Sequence, residues 1–135
     1  MAFPSGWNRR ARLTIPTAGV SASQTDFPVM LLWNGTSGNI PPEIYNNSVS
    51  SPKSDGSDIR FTSDEMGYNE LAFEIVTFVP NSTVGSARIK IWVKIPSLSS
   101  TSNTSIYMWW ENDNATAYAV TDTYGRNNVW TNNYL

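Results

Sequence analysis

The chain has 135 residues, one domain's worth and enough for a real hydrophobic core. Only 15% of its residues are charged and the net charge is −2, so it lacks the basic field that gathers nucleic acid along a phosphate backbone. It contains no cysteine and no histidine, which removes disulfides, thiolate nucleophiles, cysteine or histidine metal ligands and the histidine-based catalytic triads.

In place of charge stand 17 Ser, 13 Thr and 14 Asn. A surface solvated by short hydroxyls and amides suits extracellular and virion proteins. The segment Met1–Trp7 shows no basic start followed by an apolar run, so no signal peptide is read there. No window approaches the ~18 apolar residues of a membrane span, so no membrane insertion is expected. A chain of this kind acting outside a cell would arrive by lysis, by assembly on a particle or after loss of an upstream leader.

Period-two alternation predicts β structure throughout. Over Arg10–Ile15, Leu13 and Ile15 alternate with Arg12 and Thr14. Phe27–Trp33 is apolar on both faces, as in a central strand covered on each side. The stretch Asn34–Ser57 is dense in turn residues, with room for one helical turn at Ile40–Asn46. Asp58–Thr62 then alternates with Ile59 and Phe61 inward, and Leu71–Val79 is a mostly buried run.

The clearest strand is Arg88–Ile95. It sets Ile89, Ile91, Val93 and Ile95 on one face and Arg88, Lys90, Trp92 and Lys94 on the other, with Pro96 as its expected end. After the hydroxyl-rich loop Ser97–Asn103, Thr104–Glu111 places Ile106, Met108 and Trp110 opposite Tyr107, Trp109 and Glu111. Beyond Asn112 alternation stops, although a helical turn would fit at Ala115–Tyr118. The sum is an all-β, antiparallel β-sandwich with jelly-roll-like connections over residues 1–111. A polar segment, 112–135, either completes the sandwich or forms an arm in which Trp130 and Tyr134 pack on a neighbouring subunit.

The aromatic residues are the strongest positive signal. Trp92 lies on the polar face of its strand, between Lys90 and Lys94, and Tyr107 and Trp109 share a face of the next. Were the two strands neighbours, Trp92, Tyr107 and Trp109 would form an outward strip flanked by Lys90 and Lys94, suited to stacking on sugars or anchoring a protein interface. The competing expectation is that the N-terminal segment, a loop or the tail covers these rings. Trp7, next to Arg9 and Arg10, is expected to cap the sandwich end or stack on a cation, and Trp33 and Trp110 to be core.

A glycosidase needs only two carboxylates, and Asp55, Asp58, Asp64, Glu65, Glu70, Glu74, Glu111 and Asp113 are available. Glu74 lies in the most apolar surroundings; its bland alternative is an edge position or a pairing with an arginine such as Arg60. The runs Ser54–Asp58 and Asn112–Asn114 offer oxygen ligands but fit Asx-turns better than a calcium loop. No metal, cofactor or catalytic residue is therefore assigned.

Six segments in order resemble an uncharacterised β-sandwich family. They are Trp7-Asn8-Arg9-Arg10 leading into Leu13-Thr14-Ile15, Thr25-Asp26-Phe27-Pro28-Val29, Asp58-Ile59-Arg60-Phe61-Thr62, Leu71-Ala72-Phe73-Glu74-Ile75, Ile91-Trp92-Val93-Lys94-Ile95-Pro96 and Ser105-Ile106-Tyr107-Met108-Trp109-Trp110. The family is a domain of unknown function of bacterial, archaeal and phage surface proteins, often followed by a concanavalin-like lectin domain. The resemblance spans Trp7 to Trp130 and implies that Glu74 and Trp92 belong to a shared scaffold. Two features depart from it. Trp109-Trp110-Glu111-Asn112 replaces the usual tyrosine pair with Gly-Asn, and Asn127-Asn128-Val129-Trp130 resembles a linker into the lectin-like domain, yet the sequence stops five residues later. A stand-alone copy is expected on a virion surface or otherwise outside the cell. There it would serve as a phage head decoration or a tail or fibre component, oligomeric with other virion or surface proteins, and in contact with polysaccharide. The alternative expectation is a carbohydrate-binding or adhesion module of a secreted bacterial surface protein.

Overall fold

A computed structural model describes residues 3–131. Its elements are β1 (Arg9–Ile15), β2 (Gln24–Trp33), α1 (Pro42–Tyr45), β3 (Arg60–Thr62), β4 (Phe73–Val79), β5 (Arg88–Leu98) and β6 (Thr104–Trp110), with 3-10 turns at Val84–Ser86 and Arg126–Asn128. They form two antiparallel three-stranded sheets, ordered β1-β6-β3 and β2-β5-β4. Four of the five strand connections cross between sheets, and only β4–β5 stays within one. The molecule is an antiparallel β-sandwich whose chain crosses back and forth as in a jelly roll, with six strands in place of eight.

The alternation of β5 and β6 builds the centre. Ile89, Ile91, Val93 and Ile95 from one sheet meet Ile106, Met108 and Trp110 from the other, joined by Leu13, Leu31, Phe61 and Phe73 in one core. Each fully buried aliphatic side chain contributes about 2 kcal/mol by leaving water. One end of the core is closed by α1, which begins at Pro42, where a missing N–H costs nothing. Ile44 and Tyr45 turn inward there, and the Tyr45 ring stacks flat on Trp33 at 4.0 Å.

Three sequence expectations change. The doubly apolar β2 is an edge strand, not a central one. Its second apolar face is explained by the outer surface of the sheet, where Met30 lies beside Trp92 in register and Pro28 is buried. Pro96 does not end β5, which runs on to Leu98. Past Val93 the strand has no β4 partner in register, so a residue without an N–H is tolerated on that side. Opposite Pro96, the β2 register skips Asp26, whose φ of 50° places it in the left-handed region. Finally, Ile40–Asn46 does hold a helical turn, whereas Ala115–Tyr118 is irregular.

From Asn112 to Thr131 the chain adds no strand, but it packs along the sandwich. Ala115 and Val129 are buried, and the Phe73 N–H donates to the Tyr124 carbonyl. The segment therefore covers part of the open edge of β4.

Candidate functional site

The two strands that carry Trp92 and Trp109 belong to different sheets, so the single aromatic strip does not form. Trp92, Lys90 and Lys94 lie on the outer face of the β2-β5-β4 sheet, while Tyr107 and Trp109 lie on the outer face of the other, across the core. Adjacent strands in sequence are not adjacent in a sheet when the chain crosses the sandwich between them. That crossing at residues 99–103 separates the two sets of rings.

Trp109 is covered. Phe3 meets its ring edge-on at 5.4 Å, the Arg10 guanidinium lies 5.4 Å over it, and its indole N–H donates to Thr62 Oγ1. Only 7% of Trp109 is exposed. Tyr107 shares the same Arg10 at 5.9 Å. The N-terminal segment is thus the lid on this sheet. Trp7 stacks on a cation as expected, although that cation is Arg60 at 5.2 Å, not Arg9 or Arg10.

Trp92 is half-covered from the other direction. Trp130 packs edge-to-face on it at 5.1 Å and donates its indole N–H to Glu74 Oε1 at 2.8 Å. Within its own chain Trp130 packs on the sandwich; Tyr134, its companion in the expected arm, lies outside the described residues. Glu74 sits on the edge strand β4, in register with Trp92, so the edge position foreseen for it holds and the pairing with Arg60 does not. Among the described residues the ion pairs are Arg9–Glu111 at 3.1 Å and Arg10–Glu65 at 3.3 Å.

Glu74 is also where two depressions meet. A cavity of about 300 Å³ opens at the side of the sandwich, where the β3 edge of one sheet and the β4 edge of the other are bridged by residues 117–126. Its walls include Asp55, Arg60, Phe73, Glu74, Tyr118 and Arg126. A shallower depression of about 370 Å³ adjoins it, lined by Glu74, Arg126, Asn127 and Trp130. Because both share Glu74 and Arg126, they form one groove with an aromatic ring at each end, Tyr118 and Trp130. A second cavity, of about 520 Å³, lies under the β1–β2 loop along the β2 edge and is lined mainly by apolar residues, Trp92 among them.

The floor of the smaller cavity is unusual. Arg60 is 4% exposed and has no carboxylate partner among the described residues. Its Nη1 donates to the carbonyls of Ser57 and Ile59 at 3.0 and 2.8 Å, and its Nη2 to that of Thr116 at 2.7 Å. The guanidinium also contacts two rings, with its Cζ 4.0 Å from the centroid of Tyr118 and 5.2 Å from that of Trp7. Its Nε is sealed from solvent and has no acceptor among the described residues. Burying a guanidinium costs several kcal/mol unless its protons are bonded, and three carbonyl groups bond this one.

The neighbouring acids are held by the fold. Burial, followed by the hydrogen bond to Glu70 Oε2 at 2.6 Å, pushes the Tyr118 phenol up to about 12, so it is a neutral donor at any physiological pH. Ser57, whose N–H donates to Asp55 Oδ1 at 2.9 Å, holds the Asp55 carboxyl below its ordinary value, so it is an ionised acceptor. This is the Asx-turn expected of Ser54–Asp58, and Asn112 makes its counterpart to the Asn114 N–H. Asp58 accepts the N–H groups of Lys53, Glu111 and Asn112, and Asp64 those of Tyr68 and Asn69.

Sequence reasoning found Glu74, Trp92 and Trp130 but missed Tyr118 and Arg126, which lie where alternation has ended. The regular six-residue spacing of Tyr118, Tyr124 and Trp130 was the available signal that this stretch packs on something.

A family model described as a domain of unknown function (DUF2341) matches residues 55–126, just over half of the chain. Four of the six resembling segments, from Asp58 onward, fall inside that span, and so does every residue lining the smaller cavity. No curated protein and no solved structure matches the chain.

Proposed function

Because the chain belongs to the DUF2341 family of domains of unknown function, we propose that it is a non-catalytic binding and assembly module displayed on a virion, as a head decoration or a tail or fibre component, where it contacts host glycans. The observation that carries the binding part is the groove along β4. It combines two aromatic rings with an acid, a guanidinium and an amide at Glu74, Arg126 and Asn127, the mixture that reads hydroxyl edges and sugar faces. Trp92 lies beneath Trp130, and Lys90 and Lys94 flank it on the same face, which extends the contact surface.

Glu70, Glu74, Asp58 and Asp64 each bond a partner within the fold, which supports a binding reading over hydrolysis. Partners in the assembly would be other virion or surface proteins. The exposed Met66 and Tyr68 on the 63–70 loop give them an apolar contact. The virion setting itself rests on the resemblance to phage surface domains and on the amide-rich, cysteine-free composition.

The same groove would serve the second reading, an adhesion module of a secreted bacterial surface protein. Immunogold labelling of purified particles with antibodies against the chain separates the two. Label on capsids or tails is the expected result; unlabelled particles, with the chain found only on cell-envelope material, would replace the virion reading by the adhesin.

A further inference from the structure

A sheet edge with unpaired backbone groups is a template for pairing with another chain. The two sheets end in β1, β3, β2 and β4, and three of these edges are closed by devices of the fold itself. Beside β3, the Phe61 carbonyl accepts the Leu71 N–H at 2.9 Å, and the Ser63 N–H donates to the Asn69 carbonyl at 3.0 Å. On β2, Asn39 acts as a surrogate strand. Its Oδ1 accepts the Leu32 N–H at 2.8 Å, its own N–H donates to the Leu32 carbonyl at 3.0 Å, and its Nδ2 donates to that of Met30 at 3.2 Å. Pro28, next along that edge, has no N–H to offer. On β4, the Phe73 N–H donates to Tyr124, and a bulge between Ile75 and Thr77 breaks the ladder.

Among the described residues β1 carries none of these devices. Arg9–Ile15 pairs with β6 in unbroken register, with no proline and no bulge. The direction of its free groups follows from its neighbours. Phe61 and Ser63 bond away from β6, so Arg60 and Thr62 bond towards it, to Trp109 and Tyr107. Met108 and Ile106 are then turned to Ala11 and Leu13, which leaves the N–H and C=O groups of Arg10, Arg12 and Thr14 on the open side.

We propose that this edge of β1 takes an extended strand of a partner protein, paired through Arg10, Arg12 and Thr14, with an acidic side chain opposite Arg12. The inference rests on the assembly reading above and names the kind of partner. Charge selects the occupant. A second copy of β1, centred on Arg12, would set arginine against arginine. Two of the charges on the strand are already matched, Arg9 by Glu111 at 3.1 Å and Arg10 by Glu65 at 3.3 Å. Glu43 adds a further acid, lining a depression of about 340 Å³ beside Arg9, Arg10 and Ala11. Arg12 is exposed and has no carboxylate partner among the described residues. Arginines on an edge therefore repel copies of the same chain and admit a strand that carries acids. Main-chain bonds supply the affinity, and the residue opposite Arg12 supplies the specificity.

The test is an NMR titration of the isotope-labelled full chain with two short peptides, one alternating valine with glutamate and the other valine with lysine. Saturable shifts at the Arg10, Arg12 and Thr14 amides are expected. The glutamate peptide should bind about fivefold more tightly than the lysine one, with the preference reversed in Arg12→Glu. Thr14→Pro removes an outward donor and leaves the β6 ladder intact, so it should melt like the parent and lose the binding. If that variant does not fold, Arg12→Glu, at an exposed position, still decides. Shifts only elsewhere, no binding, or no preference between the peptides would overturn the proposal. So would a dimer of the chain alone that Thr14→Pro dissolves, which would put a second copy on the edge. Immunogold labelling reads assembly on particles without reference to this edge. Unlabelled particles with peptide binding intact would reject the assembly reading and keep the strand site; labelled particles without peptide binding would do the reverse.

Discussion

Asp58→Ala is expected to destabilise the chain by about 4 kcal/mol, read as a lowered midpoint in urea denaturation at unchanged slope. The residue is 1% exposed, and its two carboxylate oxygens accept three backbone N–H groups: Lys53 at 3.0 Å, Glu111 at 2.9 Å and Asn112 at 3.1 Å. Alanine would leave those donors without an acceptor, each at a cost of roughly 1–3 kcal/mol. The site also holds backbone strain. Glu111 has a φ of 68°, the left-handed region that non-glycine residues avoid, and it lies at the end of β6 where Asp58 clamps its N–H. Asp58→Asn keeps one acceptor oxygen and should lose about half as much. A loss under about 1 kcal/mol for the alanine variant would mean that the clamp is not what joins the 53–58 loop to β6.

Phe61→Ala should cost about the same, 3–5 kcal/mol, for a different reason. Phe61 is wholly buried, lies opposite Met108 in register and touches Phe73 from the facing sheet at 5.2 Å. Truncation removes a ring from the contact between sheets and leaves a cavity that two rigid sheets close poorly. Because β3 is only three residues long, it is held by this ring more than by its ladder. The same strand carries Arg60, so the variant should also weaken ligand binding in the groove. Equilibrium unfolding and the binding assay, run on one preparation, read both effects.

The faces of the strands were legible in the sequence, and their neighbours were not. Ile89, Ile91, Val93 and Ile95 alternate strictly, and burial follows that alternation residue by residue because a pleated strand has period two. Which strand lies beside which depends on where the chain crosses the sandwich, and hydroxyl-rich loops such as Ser97–Asn103 carry no such information. The divided fate of Trp92 and Trp109 follows from that. Pro96 misled for a related reason: its effect on a strand depends on whether the missing N–H faces a partner, which is a property of the sheet.

The groove was legible only in part. Glu74 and Trp92 stood out as exceptions to their patterns. Tyr118, Tyr124, Arg126 and Trp130 are placed by side-chain contacts and single hydrogen bonds on an irregular segment, where periodicity has nothing to report. Arg60 was read as a partner for a carboxylate; carbonyl groups and two rings fill that role instead. A guanidinium can be held in this way because carbonyl oxygens and π faces both present negative potential.

The most direct measurement is chemical-shift mapping of the labelled chain during titration with fragments of envelope polysaccharide. The groove account predicts saturable shifts at Glu74, Arg126 and Asn127 and at the indole N–H groups of Trp92 and Trp130, with the Tyr107 and Trp109 face unmoved. Shifts confined to Tyr107 and Trp109, or none anywhere at saturating polysaccharide, would contradict it.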